Sequence, residues 1–137
     1  MSTVIDQAVQ VRLIASAPQD RAVPAQLRYA PSDPFAVHIA FPPVASLDGA
    51  DVAWAFAREL LADGLTSPAG AGDVHVWPCG PDRTVLEFHA PEGIAMVQIA
   101  TAEVRRFLAR SYAVVPAGHE GGRLDVDSDV AALLREA

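Results

Sequence analysis

Lysine is absent from this 137-residue sequence, and cysteine occurs only once. All ten basic side chains are arginines, 17 acidic residues outnumber them, and the net charge is −7. Nucleic-acid-binding proteins gain much of their affinity from basic side chains that neutralise phosphates, and anionic membranes attract clusters of such side chains. Scattered arginines on an acidic chain argue against both partners. Cys79 cannot form an internal disulfide, so we expect a reducing, cytoplasmic location.

Long apolar runs are also lacking. No stretch approaches the roughly 20 consecutive apolar residues that cross a bilayer as a helix, so no transmembrane segment is expected. Residues 1–10 have neither the basic region nor the continuous apolar region of a secretory signal. Apolar residues make up 51% of the sequence and charged residues 20%, which is typical of a globular protein. The length predicts one domain over residues 1–137.

Patterns that mark catalytic or metal-binding sites are missing too. His38, His75, His89 and His119 show no spacing such as H-x-x-x-H, and one cysteine cannot build a cysteine-based zinc site. Cys79 would need a base and an orienting group to act as a nucleophile, and the nearby sequence marks neither. We therefore interpret the histidines as structural or surface residues. The sequence predicts no catalytic, cofactor-binding or metal-binding residues and no cofactor, so we do not expect an enzyme.

One acidic run resembles a calcium-binding loop in part. Asp125, Asp127 and Asp129 occupy positions 1, 3 and 5 of that pattern, and Glu136 occupies position 12. Position 6 is Val130, although the sharp turn of the loop requires glycine there. We interpret the acidic run instead as the start of a final helix, where aspartates cap the first turn and interact favourably with the helix dipole.

Alternating apolar and polar residues, typical of half-buried strands, recur along the chain. The clearest example has Phe35, Val37, Ile39 and Phe41 on one parity, followed by two prolines. At residue 58 the period changes from that of a strand to that of a helix. The predicted strands cover 4–15, 25–30, 35–41, 52–57, 73–78, 83–90 and 94–100, and the predicted helices cover 58–63 and 101–113, with loops that include 16–24 and 66–72.

This order predicts an α+β fold: an antiparallel β-sheet of about seven strands, curled into a barrel, with helices at its ends. Each half contains several strands followed by a helix, which suggests an internal repeat. Thr101 is predicted to cap the second helix. The residues predicted to face the core are Phe35, Phe41, Val52, Trp54, Phe56, Leu60, Leu61, Leu65, Trp77, Val104, Phe107 and Leu108, whereas Arg58, Glu59 and Asp63 are predicted to be exposed.

Four stretches resemble the SsgA-like family, small proteins of sporulating actinomycetes that control cell division. They are "VPAQLRYAPSDPFAVHIAF" (23–41), "VAWAFARELLADGL" (52–65), "PAGAGDVHVWP" (68–78) and "VRRFLARSYAVVPAGHE" (104–120). None of them is chemically specific alone, but together they match the family in order and spacing over most of the chain. The connection at 42–54 is longer than the family pattern, which leaves open which member of the family this chain represents.

The resemblance implies a fold like that of whirly-type single-stranded nucleic-acid-binding proteins, assembled as a homotrimer. It also implies a non-enzymatic function in sporulation-specific septation: recruiting the tubulin-like division protein FtsZ to the septum and promoting its assembly. The partners implied are FtsZ and other SsgA-like proteins. The alternative is a whirly-type module that binds single-stranded nucleic acid, with aromatic side chains as stacking platforms.

Overall fold

A computed structural model describes residues 4–14, 21–41, 52–91 and 93–121. These residues form one antiparallel sheet of eight strands and two helices. In chain order the elements are β1 (Ile5–Ile14), β2 (Arg21–Tyr29), β3 (Ala36–Phe41), β4 (Val52–Ala57), α1 (Arg58–Asp63), β5 (Ala69–Ala71), β6 (Val74–Cys79), β7 (Arg83–Ala90), β8 (Gly93–Ala100) and α2 (Thr101–Val114).

The sheet consists of two four-stranded meanders, each followed by a helix. Its strand order is β4-β3-β2-β1-β8-β7-β6-β5, so that β1 and β8 join the two meanders at the centre. The first meander is followed by α1 and the second by α2. This arrangement matches the repeat of strands and a helix that the sequence indicates. The predicted α+β class is confirmed, and the sheet forms a half-barrel.

Two strand predictions need correction. The sequence predicts a loop over 66–72, but Ala69–Ala71 pairs with β6 and forms an eighth strand. The second strand begins at Arg21 and not at residue 25, because the long β1 offers backbone partners to the preceding residues as well. Pro24, placed in a turn by the sequence, lies opposite Gln10 within this ladder. Tertiary pairing overrides local propensity at both places.

The core lies on the inner face of the curled sheet. Phe88 of β7 is almost completely buried, and its ring stacks on that of Trp54 at 5.0 Å between centroids. The ring centroids of Phe41 and Phe56 lie 6.1 and 6.3 Å from that of Phe88. Since β4 lies at one edge and β7 near the other, these contacts require the sheet to curl. The half-barrel is therefore closed internally by aromatic packing.

The helices cover this core as the sequence predicts, with local exceptions. Leu60, Leu61 and Leu65 around α1 are buried, as is the α2 stripe of Val104, Phe107 and Leu108. Thr101 is the first residue of α2 and does not cap it: its hydroxyl is hydrogen-bonded to the buried hydroxyl of Thr84 at 2.8 Å. Phe35 precedes β3 and is half exposed, so its predicted core position is wrong.

Several predicted features lie outside the described residues. They are the long connection over 42–50, the acidic run at 125–130 and the final helix that it was expected to begin. In the described part of the chain, no helix has the length and apolar character needed to cross a membrane.

Gly64, at the end of α1, packs closely on Val76 of β6, so a substitution at this position tests the packing of α1 on the sheet. A Cβ at this position would collide with the Val76 side chain, whereas the backbone of Gly64 is right-handed and suits any residue. We expect Gly64→Ala to lower the free energy of unfolding by about 1–3 kcal/mol, as overpacking typically does. Urea unfolding measures this. Gly121→Ala, with open space around it, is the control and should be nearly neutral.

Candidate functional site

Arg58, the first residue of α1, is only 1% exposed, so its predicted exposure is wrong. Its backbone N–H donates to the Phe35 carbonyl at 2.7 Å, which holds the start of α1 against the turn before β3. Position 58 continues the inward parity of Trp54 and Phe56 in β4. That parity is the signal in the sequence from which the burial could have been predicted. The charge of arginine suggested the opposite.

The guanidinium of Arg58 contacts three other parts of the chain. Its Nη1 donates to the Ser111 carbonyl at 3.1 Å, and its Nη2 forms an ion pair with Glu120 at 2.9 Å. The guanidinium carbon lies 4.7 Å from the ring centroid of Tyr29 and 4.2 Å from that of Tyr112, at cation–π distance. The Nε atom is buried and has no hydrogen-bond partner within the described part of the chain. We call these five residues the Arg58 cluster.

The electrostatics of the cluster follow from the buried positive charge. The hydrogen bond from Arg58 lowers the pKa of Glu120 below its ordinary 4.5, and the Gly118 backbone N–H, 2.8 Å from Oε1, supports the same charged form. Burial raises the pKa of Tyr112 above 10.0, although the charge of Arg58 opposes this effect. Both shifts favour a cluster with an ionised Glu120 and a neutral tyrosine. Such an arrangement holds helices and strands together, and no reacting group is evident in it.

An apolar surface lies on the other side of the sheet. Val85 of β7 is only 3% exposed, yet it faces away from the inner core and lies opposite Trp77 and Gln98. Ile94, at the start of β8, is 64% exposed. We define the outer patch as the larger outward-facing apolar side chains of β1, β6 and β8 that are at least partly exposed, which are Ile14, Trp77, Ile94 and Met96. Trp77 was expected in the core and belongs instead to this surface.

The outer face of the first meander has a different character. An open groove there combines the charged Asp6 and Arg28 with His38, over a floor of the alanines 40 and 53. Arg28 and Asp6 are 3.8 Å apart and largely exposed. This groove is mixed in charge and lacks the run of basic residues that a phosphate backbone requires. The aromatic side chains that could serve as stacking platforms are Phe35, Phe41, Trp54 and Trp77, and of these Phe41 and Trp54 pack inside the barrel.

His38, His75, His89 and Cys79 lie on the outer face of the sheet, whereas His119 lies beyond α2. The rings of His75 and His89 lie 5.2 Å apart, and His89 is also hydrogen-bonded to Glu87. Sequence spacing did not reveal this pair, because β6–β7 pairing creates it. In the residues that the structure describes, no group of three or more His, Cys, Asp or Glu is arranged to hold a metal. Cys79 is exposed, and its sulfur accepts a weak hydrogen bond from Gln98 at 3.7 Å.

Removing the buried guanidinium tests the Arg58 cluster. We expect Arg58→Ala to lower the free energy of unfolding by about 3 kcal/mol, because it leaves the partners of a buried ion pair unsatisfied. Arg58→Lys should recover only part of this loss, since an ammonium cannot reproduce the planar fork of donors. Urea unfolding is the measurement. The exposed Arg28→Ala serves as the control, with an expected change below about 0.5 kcal/mol; equal losses at both positions would contradict the assignment.

The ion pair also predicts a dependence of stability on pH. Because the folded protein lowers the pKa of Glu120, the stabilisation is complete above about pH 4.5 and is lost as the pH falls through the lowered value. The difference in unfolding free energy between the wild type and Glu120→Gln should therefore be greatest near neutral pH and shrink on acidification. In an Arg58→Met background the same substitution should give a much weaker trend, because only the backbone hydrogen bonds to Glu120 remain. A difference independent of pH in the wild-type background would contradict the coupling.

The sequence of this chain is similar to those of known sporulation and cell division proteins. The family described as "Streptomyces sporulation and cell division protein, SsgA" matches residues 23–120. The sporulation-specific cell division protein SsgB of Salinispora tropica is 43% identical over 96% of this chain and 94% of its own length. SsgB of Streptomyces coelicolor is 38% identical over the full length of both.

Solved structures show the same fold. An SsgA-like sporulation-specific cell division protein from Thermobifida fusca superposes with a TM-score of 0.84 and 34% identity, covering 96% of both chains. A second structure, from work on SsgB mutations that correlate with longitudinal cell division during sporulation of Streptomyces coelicolor, gives a TM-score of 0.79 and 36% identity over 90% of this chain and 97% of the other. The chain belongs to the SsgA family of sporulation and cell division proteins.

Proposed function

We propose that this protein is a non-enzymatic adaptor for sporulation-specific septation, which recruits FtsZ to the septum and promotes its assembly there. The observation that carries the proposal is membership of the SsgA family, with relatives named sporulation-specific cell division proteins across nearly the whole chain. We propose that the protein acts by binding its partners. Among the described residues, the clusters of side chains form packing and surface contacts, and none pairs a nucleophile with a base.

The outer patch is the surface we assign to the protein partner. Its exposed Ile94 lies on β8, whose opposite face forms part of the core, so a rigid sheet supports the surface. Contiguous apolar residues on such a sheet are typical of protein-binding sites. Trp77 adds an aromatic side chain of the kind that often dominates the energy of interfaces. The groove on the outer face of the first meander is lined instead by polar and charged side chains and by alanines.

Other SsgA-like chains are the second class of partner in the proposal. We propose a homotrimer in the cytoplasm that is brought to the septum by such contacts. An apolar fraction of 51% in a chain of 14.5 kDa supports self-association, because small domains bury a limited share of their apolar surface alone. Several copies of the same weak site would also bind an FtsZ filament more tightly than one copy.

Co-sedimentation with polymerising FtsZ tests the adaptor function. We expect the wild-type protein to pellet with the filaments and to increase the pelleted fraction of FtsZ. Ile94→Asp should abolish both effects, because an aspartate in the apolar interface would lose its hydration without a partner. Phe35→Asp is the matched control: it replaces another exposed apolar residue, outside the outer patch, and should behave like the wild type.

The results separate the proposal from its rivals. Failure of the wild-type protein to pellet with FtsZ would contradict the adaptor function. Loss of binding in Phe35→Asp with normal binding in Ile94→Asp would place the partner elsewhere and contradict the outer patch. The nucleic-acid alternative predicts a shift of single-stranded DNA or RNA in a gel at low salt, where even weak electrostatic binding is strongest. The acidic net charge of −7 argues against that shift.

A further inference from the structure

The β6–β7 hairpin brings three polar side chains together on the outer face of the sheet. His75 of β6 lies directly opposite Glu87 of β7, and His89 follows Glu87 by two residues on the same face. Diagonal neighbours across an antiparallel pair are close enough for long side chains to meet. The two imidazole rings are accordingly 5.2 Å apart between centroids, with an angle of 58° between their planes.

The neighbouring strand leaves room for one of these rings. Gly70 of β5 is paired with His75, and a Cβ at position 70 would collide with Nδ1 and Cε1 of the imidazole. The ring of His75 therefore lies over the backbone of β5, in space that only glycine leaves open. In the described part of the chain, its ring nitrogens have no hydrogen-bond partner. Because the Nδ1 edge of the ring lies against the backbone of β5, Nε2 is the nitrogen of His75 that is left to bind a metal.

Glu87 orients the second ring. One of its carboxylate oxygens is hydrogen-bonded to Nε2 of His89, so Nδ1 is the nitrogen of His89 that has no hydrogen-bond partner among the described residues. Side chains at these positions are partly exposed, 36% for His89 and 22% for Glu87, so an ion from solvent can reach them. A carboxylate that holds one nitrogen of a histidine while the other binds a metal is a common arrangement in metalloproteins, and it raises the basicity of the ligand.

We propose that His75 and His89 form a two-histidine site for one divalent cation that prefers imidazole ligands, with Zn²⁺ as the representative ion. The two histidines are the ligands from the protein, water completes the coordination, and Glu87 positions His89 without binding the ion. Imidazole suits zinc, copper and nickel, whereas magnesium and calcium prefer oxygen ligands. The site differs from the expectation based on histidine spacing, because the register of β6 and β7 creates it.

The proposed site has a structural consequence of its own, apart from the adaptor function. A metal held by one side chain of β6 and one of β7 would cross-link the two strands beside the short edge strand β5. It would also lie next to Ile94, which is paired with His89 on β8. A metal that binds the folded protein and not the unfolded chain stabilises the fold, and the stabilisation grows with the logarithm of the metal concentration. The site would therefore link the metal concentration to the stability of this hairpin.

Zn²⁺ titration of the full-length protein against a chromophoric chelator tests the proposal. We expect one Zn²⁺ per chain and a rise in melting temperature with Zn²⁺. His75→Asn and His89→Asn should each weaken Zn²⁺ binding at least about tenfold. Removing only the hydrogen-bond partner of a metal ligand commonly lowers the metal affinity by that factor, and these variants remove the ligand itself. Glu87→Gln, which retains both histidines, should be intermediate. Mg²⁺ should neither compete nor stabilise. Acidification should weaken binding, because only neutral imidazole binds a metal.

His38→Asn is the matched control, since His38 is another histidine on the outer face but lies in the groove of the first meander. It should bind Zn²⁺ like the wild type. Melting temperatures measured without metal establish that each variant is folded, and a variant that has lost Zn²⁺ binding but keeps its metal-free melting temperature supports the site. Zn²⁺ binding that survives in both His75→Asn and His89→Asn, or that is lost in His38→Asn, would overturn it.

Discussion

The buried guanidinium of Arg58 is the interaction on which the arrangement of the two halves depends. Arg58 begins α1, at the end of the first meander, whereas Ser111 lies in α2 and Glu120 lies beyond it. The desolvation of the Arg58 guanidinium is unfavourable, and its Nε has no hydrogen-bond partner among the described residues. A buried ion pair is often no more stabilising than apolar residues of similar volume. We infer that its contribution is directional: the planar fork accepts partners only at fixed angles, which determines how the halves meet.

Where the sequence predicted the fold accurately, a strong local pattern coincided with a clear boundary. Strand β7 and helix α1 have the predicted bounds, because alternation or helical spacing stops at a turn or a glycine. Strand β5 could not be predicted in this way, since Ala69–Ala71 carries no alternation and becomes a strand only by pairing with β6. The middle residue of β5, Gly70, also packs against His75 in a contact that no local pattern encodes.

The candidate sites were harder to predict than the fold, for a related reason. Arg58 shares its parity with Trp54 and Phe56, but composition alone assigns an arginine to the surface, and only its distant partners make burial acceptable. His75 and His89 are 14 positions apart and meet through strand register. The predicted bounds of the two strands did not give that register, because β6 includes Cys79, which pairs with Arg83. The family motif in residues 52–65, by contrast, contains Arg58. The resemblance therefore identified an important segment but did not explain its physical role.

The two faces of the sheet divide the tasks of the molecule. On the inner face, Phe88 and the Arg58 cluster fix the curl of the sheet and the position of the helices, so changes there act through stability. On the outer face, Ile94 and the His75–His89 pair are supported by the same strands but contribute little to the core. Because consecutive residues of a strand point to opposite faces, one parity of β6, β7 and β8 governs folding and the other is free to diverge. Substitutions at the outward-facing positions can therefore change the surface of the sheet while the half-barrel is retained.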